Sequence, residues 1–303
     1  MTGGAGFIGS HVVDALVGSG HDVSVVDDLS TGRAENINRG ARFHHVDVRS
    51  RALGEVFDRE RPEIVIHEAA RANVRESMQV PLLYAEVNVI GSLNLLECCR
   101  RYGARKVIYA STGGAVYGEP KKLPVPEDHP VNPLDPYGAS KHHVEHYLVL
   151  YQANFGIDFT ALRYPNVYGP RQDPFGEAGV VAIFSRQMLH GDNTVINGNG
   201  EQERDFVFVS DVVAANLQAL VHGAGGTYNI GSGRGTSVNR VWELLADLTG
   251  YSGEKQHVSP KQGEVFRIFL DAGRANVELR WKPEVPLEDG LRLTVDYFRN
   301  HAA

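Results

Sequence analysis

The hexapeptide Pro-Tyr-Gly-Ala-Ser-Lys at 136–141 sets a phenol, Tyr137, and an ammonium, Lys141, four residues apart at the start of a helical pattern. In a helix, residues at i and i+4 share one face. A phenol of pKa near ~10 is a poor base at neutral pH unless a cation stabilises its phenolate, and Lys141 stands where that cation is needed. Tyr-x-x-x-Lys also arises by chance, as a packed aromatic beside a solvated lysine. What the pair does therefore depends on whether the rest of the chain supplies a cofactor, a substrate and a partner hydroxyl.

A cofactor is suggested by the first ten residues, Met-Thr-Gly-Gly-Ala-Gly-Phe-Ile-Gly-Ser, followed by an apolar-periodic run through Val12, Val13, Leu16 and Val17. Gly3, Gly6 and Gly9 have the spacing in which a tight turn, close approach of the backbone to a pyrophosphate and close helix packing each exclude a side chain. The helix N-terminus then offers amide donors and the positive end of its dipole to phosphates. A short apolar strand pattern at 23–26 ends at Asp27 and Asp28, where an acid holds a ribose diol. Asp27 would repel a 2′-phosphate, which favours NAD over NADP. Only Met1 and Thr2 precede the turn, where a buried strand belongs, so the sequence is expected to start about five residues late.

Strand patterns at 43–46, 64–67 and 106–110 alternate with helical ones, including a long run at 81–102, which predicts a parallel, doubly wound α/β sheet. Ligands of such sheets bind beyond the carboxyl ends of the strands. The residues there are Asp47 and Val48, then Ala69, Ala70 and Arg71, then Ser111 and Thr112. Asp47 either faces an adenine amino group, with Val48 against the ring, or caps a helix. A hydroxyl of Ser111 or Thr112 is placed to donate to the oxygen that Tyr137 deprotonates. Six prolines between 119 and 136 predict a rigid loop over the site. His142, His143 and His146 follow on the next helix, with no carboxylate at metalloprotease spacing and no cysteine nearby, so they read as a polar helix face and no metal is expected.

Beyond about residue 175 the alternation weakens. Shorter glycine-rich segments with helical patterns at 180–189, 211–222, 238–249 and 287–298 predict a cofactor domain over 1–175 and a mainly substrate-binding lobe over 176–303, some of whose segments return to the sheet. Arg204, Lys261 and Arg267 are candidates to hold a diphosphate. The 303 residues are 42% hydrophobic and 22% charged, with a net charge of −7 and no basic run. That excludes broad nucleic-acid or anionic-membrane binding. No apolar run approaching ~20 residues and no signal-peptide pattern stand out, so the reading is a cytoplasmic protein. Cys98 and Cys99 are adjacent, ill placed to pair with each other, and expected to be reduced.

Together these segments make the chain resemble the extended short-chain dehydrogenase/reductases, and most of all their UDP-glucose 4-epimerase branch. The resemblance rests on Thr-Gly-Gly-Ala-Gly-Phe-Ile-Gly-Ser, Val-Val-Asp-Asp-Leu-Ser-Thr-Gly at 25–32 and His-Glu-Ala-Ala at 67–70. It rests further on Asn88, Ser-Thr-Gly-Gly-Ala-Val-Tyr-Gly-Glu at 111–119, Tyr137 with Lys141, and Arg-Tyr-Pro-Asn-Val-Tyr-Gly-Pro-Arg-Gln at 163–172. It implies NAD as cofactor, with Phe7, Ile8 and Asn88 among the residues that hold it. It also implies a UDP-hexose substrate whose diphosphate meets Asn166 and Arg204, and a homodimer built on 81–102 and 137–155. The implied activity is inversion at C4′ through a transient 4-keto sugar. Two departures stand out: Lys261-Gln262-Gly263-Glu264 replaces the family's Arg-x-Gly-Asp, and the family's active-site hydroxyl falls on Thr112 by its distance from Tyr137, with Ser111 in reserve, whereas alignment on Val116-Tyr117-Gly118 puts Gly113 there. Ile268 either borders the sugar's 2′ substituent or is a core strand residue. Dehydratases and decarboxylases share the scaffold, but dehydratases carry Asp-Glu where this chain has Gly113 and Gly114. A non-catalytic NAD-sensing regulator would need the glycine turn and Asp27 but not Tyr137, Lys141 and Thr112.

Overall fold

The computed structural model describes residues 1–175, 179–260 and 265–301. In chain order the first half comprises α1 (Phe7–Gly18), β1 (Ser24–Asp27), β2 (Arg42–His45), α2 (Ala52–Glu60), β3 (Ile64–His67) and α3 (Val74–Gln79). The helical run α4 (Pro81–Tyr102), β4 (Lys106–Thr112), α5 (Pro136–Phe155) and β5 (Asp158–Tyr164) complete it. After them come β6 (Asn166–Tyr168), α6 (Val180–His190), β7 (Thr194–Asn197), β8 (Glu203–Arg204), β9 (Phe206–Phe208), α7 (Val209–Ala219) and β10 (Gly226–Asn229). The remainder is β11 (Thr236–Ser237), α8 (Val238–Thr249), β12 (Lys255–Val258), β13 (Arg267–Ile268), α9 (Gly273–Glu278) and α10 (Leu287–Asn300).

The main sheet is parallel throughout and runs β2-β1, then Thr2, then β3-β4-β5-β10. Thr2 bridges Val26 on one side and His67 on the other, so the first two residues lie between β1 and β3. All seven residues of β4 are buried, as a central parallel strand covered on both faces requires. One face is covered by α1 and α7, whose Val12, Val13 and Leu16 meet Val212, Ala215 and Ala219 over Ile66 and Ile108. On the other, Leu53, Leu95, Leu96, Val144 and Leu148 of α2, α4 and α5 pack over Val65, Val107 and Phe159. This is the doubly wound α/β arrangement that the alternation of patterns predicts.

Two details differ from the sequence reading. β4 runs on through Ser111 and Thr112, because these pair in register with Arg163 and Tyr164 of β5. α4 has a stretch of mean hydropathy 1.2 over a 22-residue helix, long and apolar enough by composition to cross a bilayer, where no such run was expected. It is instead a core helix, burying Leu95, Leu96 and Cys99. Cys98 and Cys99 are both free and buried.

The later segments do two things. α7, β10, α9 and Trp281 complete the first core, whereas α6, α8 and α10 form a separate one with β9. The proline-rich loop is fastened between them. Val125 N donates to Phe269 O and Asp271 N to Val125 O, and Glu127 accepts from Asn229 N at 2.8 Å.

Candidate active site

α5 begins one residue before Tyr137. Asp135 caps it by accepting Gly138 N at 2.7 Å, and Pro136 occupies its first position. Tyr137 is thereby fixed in the first turn and Lys141 one turn later, beside the carboxyl end of β4. The Thr112 hydroxyl lies beside the Tyr137 phenol and favours its ionised form. Ser111, one residue earlier and on the opposite face of the strand, donates instead to Glu145 Oε1 at 2.6 Å. The strand's pleat thus separates the two hydroxyls.

Burial pushes the Tyr137 phenol up to about 12, the Thr112 hydroxyl acting against the rise and the charges of Asp135 and Glu68 adding to it. Lys141 is 3% exposed and its ammonium sits 4.4 Å from the centre of the Tyr109 ring. Burial lowers its pKa, while Glu68 and Glu145 pull it back. Desolvation is thus the largest influence on the Tyr137 phenol in this chain.

Glu68 is a residue the sequence reading quoted but gave no role. It accepts from Tyr164 Oη at 2.8 Å, and Asn216 donates to that same oxygen at 2.7 Å. Burial raises its pKa and the Lys141 charge lowers it. The available signal was a carboxylate directly after an apolar strand of the parallel sheet.

Beneath the pair lies a second charged group. Arg163 clasps Glu145 with two bonds, Nε to Oε1 at 2.9 Å and Nη2 to Oε2 at 2.6 Å. Burial would raise the Glu145 carboxyl, but Arg163, His142 and Ser111 together hold it down at about 2. Arg163 also donates to Tyr117 Oη at 2.7 Å, which donates to Asn229. The network spans α5, β4, β5, the proline-rich loop and β10.

The proposed cofactor residues converge. Gly3, Gly6, Phe7, Ile8, Gly9, Asp27, Asp28, Asp47, Val48, Ala69, Ala70 and also Glu68 line one cavity of about 290 Å³. Gly3 has φ +68°, and a Cβ there would come within 2.6 Å of Ala69 N. A Cβ on Gly9 would fall 2.0 Å from Gly3 O, whereas one on Gly6 would have a single neighbour at 3.3 Å. The three glycines therefore serve turn, open approach and packing in the way their spacing predicts. Asp27 accepts Ala5 N at 3.0 Å and Leu29 N at 2.9 Å. Asp28 binds Ser30. Asp47 is gripped by Arg49, whose side chain holds its carboxyl below the usual range, and it is not the cap of α2, which is Arg51.

Asn88 does not line this cavity. It is 1% exposed, in a wide π-type turn of α4, where it bonds Arg71 N and O and the Ser140 hydroxyl. These bonds tie it to the segment after β3 and to α5. In the second lobe, Asn166 N donates to Asp205 O, next to Arg204, so these two residues are neighbours. Arg204 Nη1 donates to Glu203 O at 2.9 Å. Arg267 is paired with Glu203 at 2.7 Å. Ile268 is 3% exposed and packs with Val116, Tyr117, Val125 and Leu270; its surroundings match the core-residue alternative. Lys261 and Glu264 lie outside the described residues. Gly114 has no atom closer than Thr112 Oγ1 at 3.8 Å to a would-be Cβ, so neither Gly113 nor Gly114 brings an acid to this open position.

A glycine turn into α1, an acid after β1 and a Tyr-Lys pair beside a strand-end hydroxyl define a nucleotide-binding protein of the extended short-chain dehydrogenase kind. The chain belongs to the NAD dependent epimerase/dehydratase family, whose model matches residues 1–231. It is 43% identical over 306 residues to the UDP-glucose 4-epimerase of Mycolicibacterium smegmatis, covering 99% of this chain and 98% of that one. Among solved structures, the Thermotoga maritima UDP-glucose 4-epimerase with UDP-glucose superposes with TM-score 0.98 at 49% identity, over 100% of this chain and 98% of that chain. The Thermus thermophilus UDP-glucose 4-epimerase in complex with NAD gives TM-score 0.95 at 44% identity, over 99% and 98%.

Proposed function

We propose that this protein is an NAD-dependent epimerase that inverts C4 of a UDP-hexose of the UDP-glucose/UDP-galactose type. The observation that carries the reading is the placement of Tyr137 and Lys141 one turn apart on α5, with Thr112 at the end of β4 beside the phenol, next to the cavity formed by the glycine turn and Asp27. Tyr137 removes the proton of the sugar 4′-hydroxyl and later returns it, while Thr112 donates to the same sugar oxygen. NAD, when bound between the glycine turn and Asp27, takes the hydride from C4′ and gives it back to the opposite face of the 4-keto sugar. Moving the phenol from about 12 to near 7 takes ~7 kcal/mol of preferential phenolate stabilisation. Lys141 and the positive charge of the oxidised nicotinamide are the groups available for it.

Asn166 and Arg204 are assigned to the diphosphate, with Lys261 and Glu264 as further substrate residues. Arg71 N and O, the bonds of Asn88, make Asn88 a positioning residue for the cofactor side. A homodimer through α4 and α5 is supported by exposed apolar side chains on those helices: Leu82 at 78%, Ile90 at 56% and Leu150 at 52%. A cytosolic location fits the two free, buried thiols. Incubation with UDP-glucose and with UDP-galactose, followed by product NMR, tests the activity: interconversion from both sides is expected. A dehydrated or decarboxylated product, or none, would overturn it.

A further inference from the structure

α5 carries histidines that the chemistry above does not use. His142 and His146 stand one turn apart, their Nε2 atoms 3.1 Å from each other and their rings crossing at 69°. His142 Nδ1 lies 3.1 Å from Glu145 Oε2. Glu145 is ionised and bound by Arg163, so it can only accept. The Nδ1 proton therefore belongs to His142, which leaves the Nε2 lone pair of the neutral ring facing His146. A carboxylate holding the far N–H of an imidazole is the support that orients metal-binding histidines.

The spacing has a metric meaning. Two nitrogens each ~2.0–2.1 Å from one ion are ~3.3 Å apart at a tetrahedral angle and ~2.9 Å apart at a right angle. The observed 3.1 Å lies between these values. The short approach of ring nitrogens is between His142 and His146, and His143, whose Nδ1 lies 2.7 Å from Ala139 O, is not part of it. We propose that His142 and His146 form a binding site for a borderline divalent transition-metal ion, Zn²⁺, Ni²⁺ or Cu²⁺, with the ion replacing the proton the two rings share. Imidazole without carboxylate oxygens does not suit Mg²⁺ or Ca²⁺.

Among the described residues no group of three or more His, Cys, Asp or Glu side chains converges on a metal, so the chain offers two ligands. Water completes the coordination, or the same pair from a second copy does so when α5 faces one. The site is accordingly an exchangeable one. The i, i+4 spacing puts the two rings on one face of α5, and the fold brings their nitrogens together.

The test uses the full chain after chelator treatment and gel filtration, titrated with ZnCl₂ or NiCl₂ alone by calorimetry. Saturable binding at one ion per chain, or one per two chains, is expected. His146→Gln, at an exposed position, should weaken binding at least ~10-fold, with the far-ultraviolet dichroism unchanged, and His143→Gln should leave it as it was. With Cu²⁺, nitrogen hyperfine structure from two imidazoles should appear and drop to one in His146→Gln. No saturable binding, or equal binding in His146→Gln, overturns the proposal.

Discussion

Ser111 Oγ donates to Glu145 Oε1 at 2.6 Å, which commits this hydroxyl to the buried Arg163–Glu145 pair. Thr112 is left to face Tyr137. The two neighbours thus have different expected phenotypes. Thr112→Val should lose ~10²-fold in kcat, as removal of one reacting-centre donor does, with the urea midpoint little changed. Ser111→Ala should destabilise by ~1–3 kcal/mol, because it leaves a buried acceptor short of a partner, and retain most of its turnover. Measuring kcat and urea unfolding in both variants checks this; the reverse pattern would make Ser111 the active-site hydroxyl.

Tyr137→Phe should bind NAD and UDP-sugar while losing at least ~10²-fold in turnover, since only the proton-transfer group is removed. Lys141→Met should also be slow, with its activity profile displaced to higher pH, because removing a cation raises the phenol's pKa. An unchanged profile and rate in Lys141→Met would show that Lys141 does not partner the phenolate.

Acid should destabilise the protein through His67. Ser92 Oγ donates to Asn88 O at 2.5 Å, so it accepts from His67 Nε2, and His67 Nδ1 accepts from the Thr2 hydroxyl at 2.7 Å. Both ring nitrogens are satisfied in the neutral form. Burial, with help from the Lys141 charge, lowers its pKa to about 3. A depressed folded-state pKa gives stability that is full above the unfolded value of ~6.5 and declines as pH falls towards the folded one. Between pH 7.5 and pH 5 this amounts to ~2 kcal/mol. Urea unfolding at the two pH values should show the loss, and His67→Gln should flatten it.

The glycine turn, the acids after β1 and the Tyr-Lys spacing were legible because each acts over a few residues, where backbone geometry dictates residue type. The alternation of strand and helix patterns likewise carried the fold. What was not legible is long-range. The Arg163–Glu145 clasp joins residues 18 apart, and Tyr117–Asn229 joins residues 112 apart, which no periodicity records. Ile268 was read by counting along a loop, and the fold packs it instead against Val116 and Leu270.

The three glycines should separate folding from cofactor binding. A methyl on Gly9 would fall 2.0 Å from Gly3 O and 2.8 Å from Gly3 C, both backbone, so α1 must shift away from the turn. Gly9→Ala is accordingly expected to cost at least ~2 kcal/mol of stability as an overpacked site and to lose NAD binding with it. A methyl on Gly6 meets only Gly3 O at 3.3 Å, and Gly6 lines the cavity. The folded chain therefore tolerates it, and the methyl occupies space that a pyrophosphate would use. Gly6→Ala should unfold within ~0.5 kcal/mol of the parent and yet bind NAD more weakly by at least ~10-fold. Thermal unfolding with and without added NAD measures both quantities at once. If Gly6→Ala keeps the full NAD-induced rise in Tm, the pyrophosphate does not pass over Gly6.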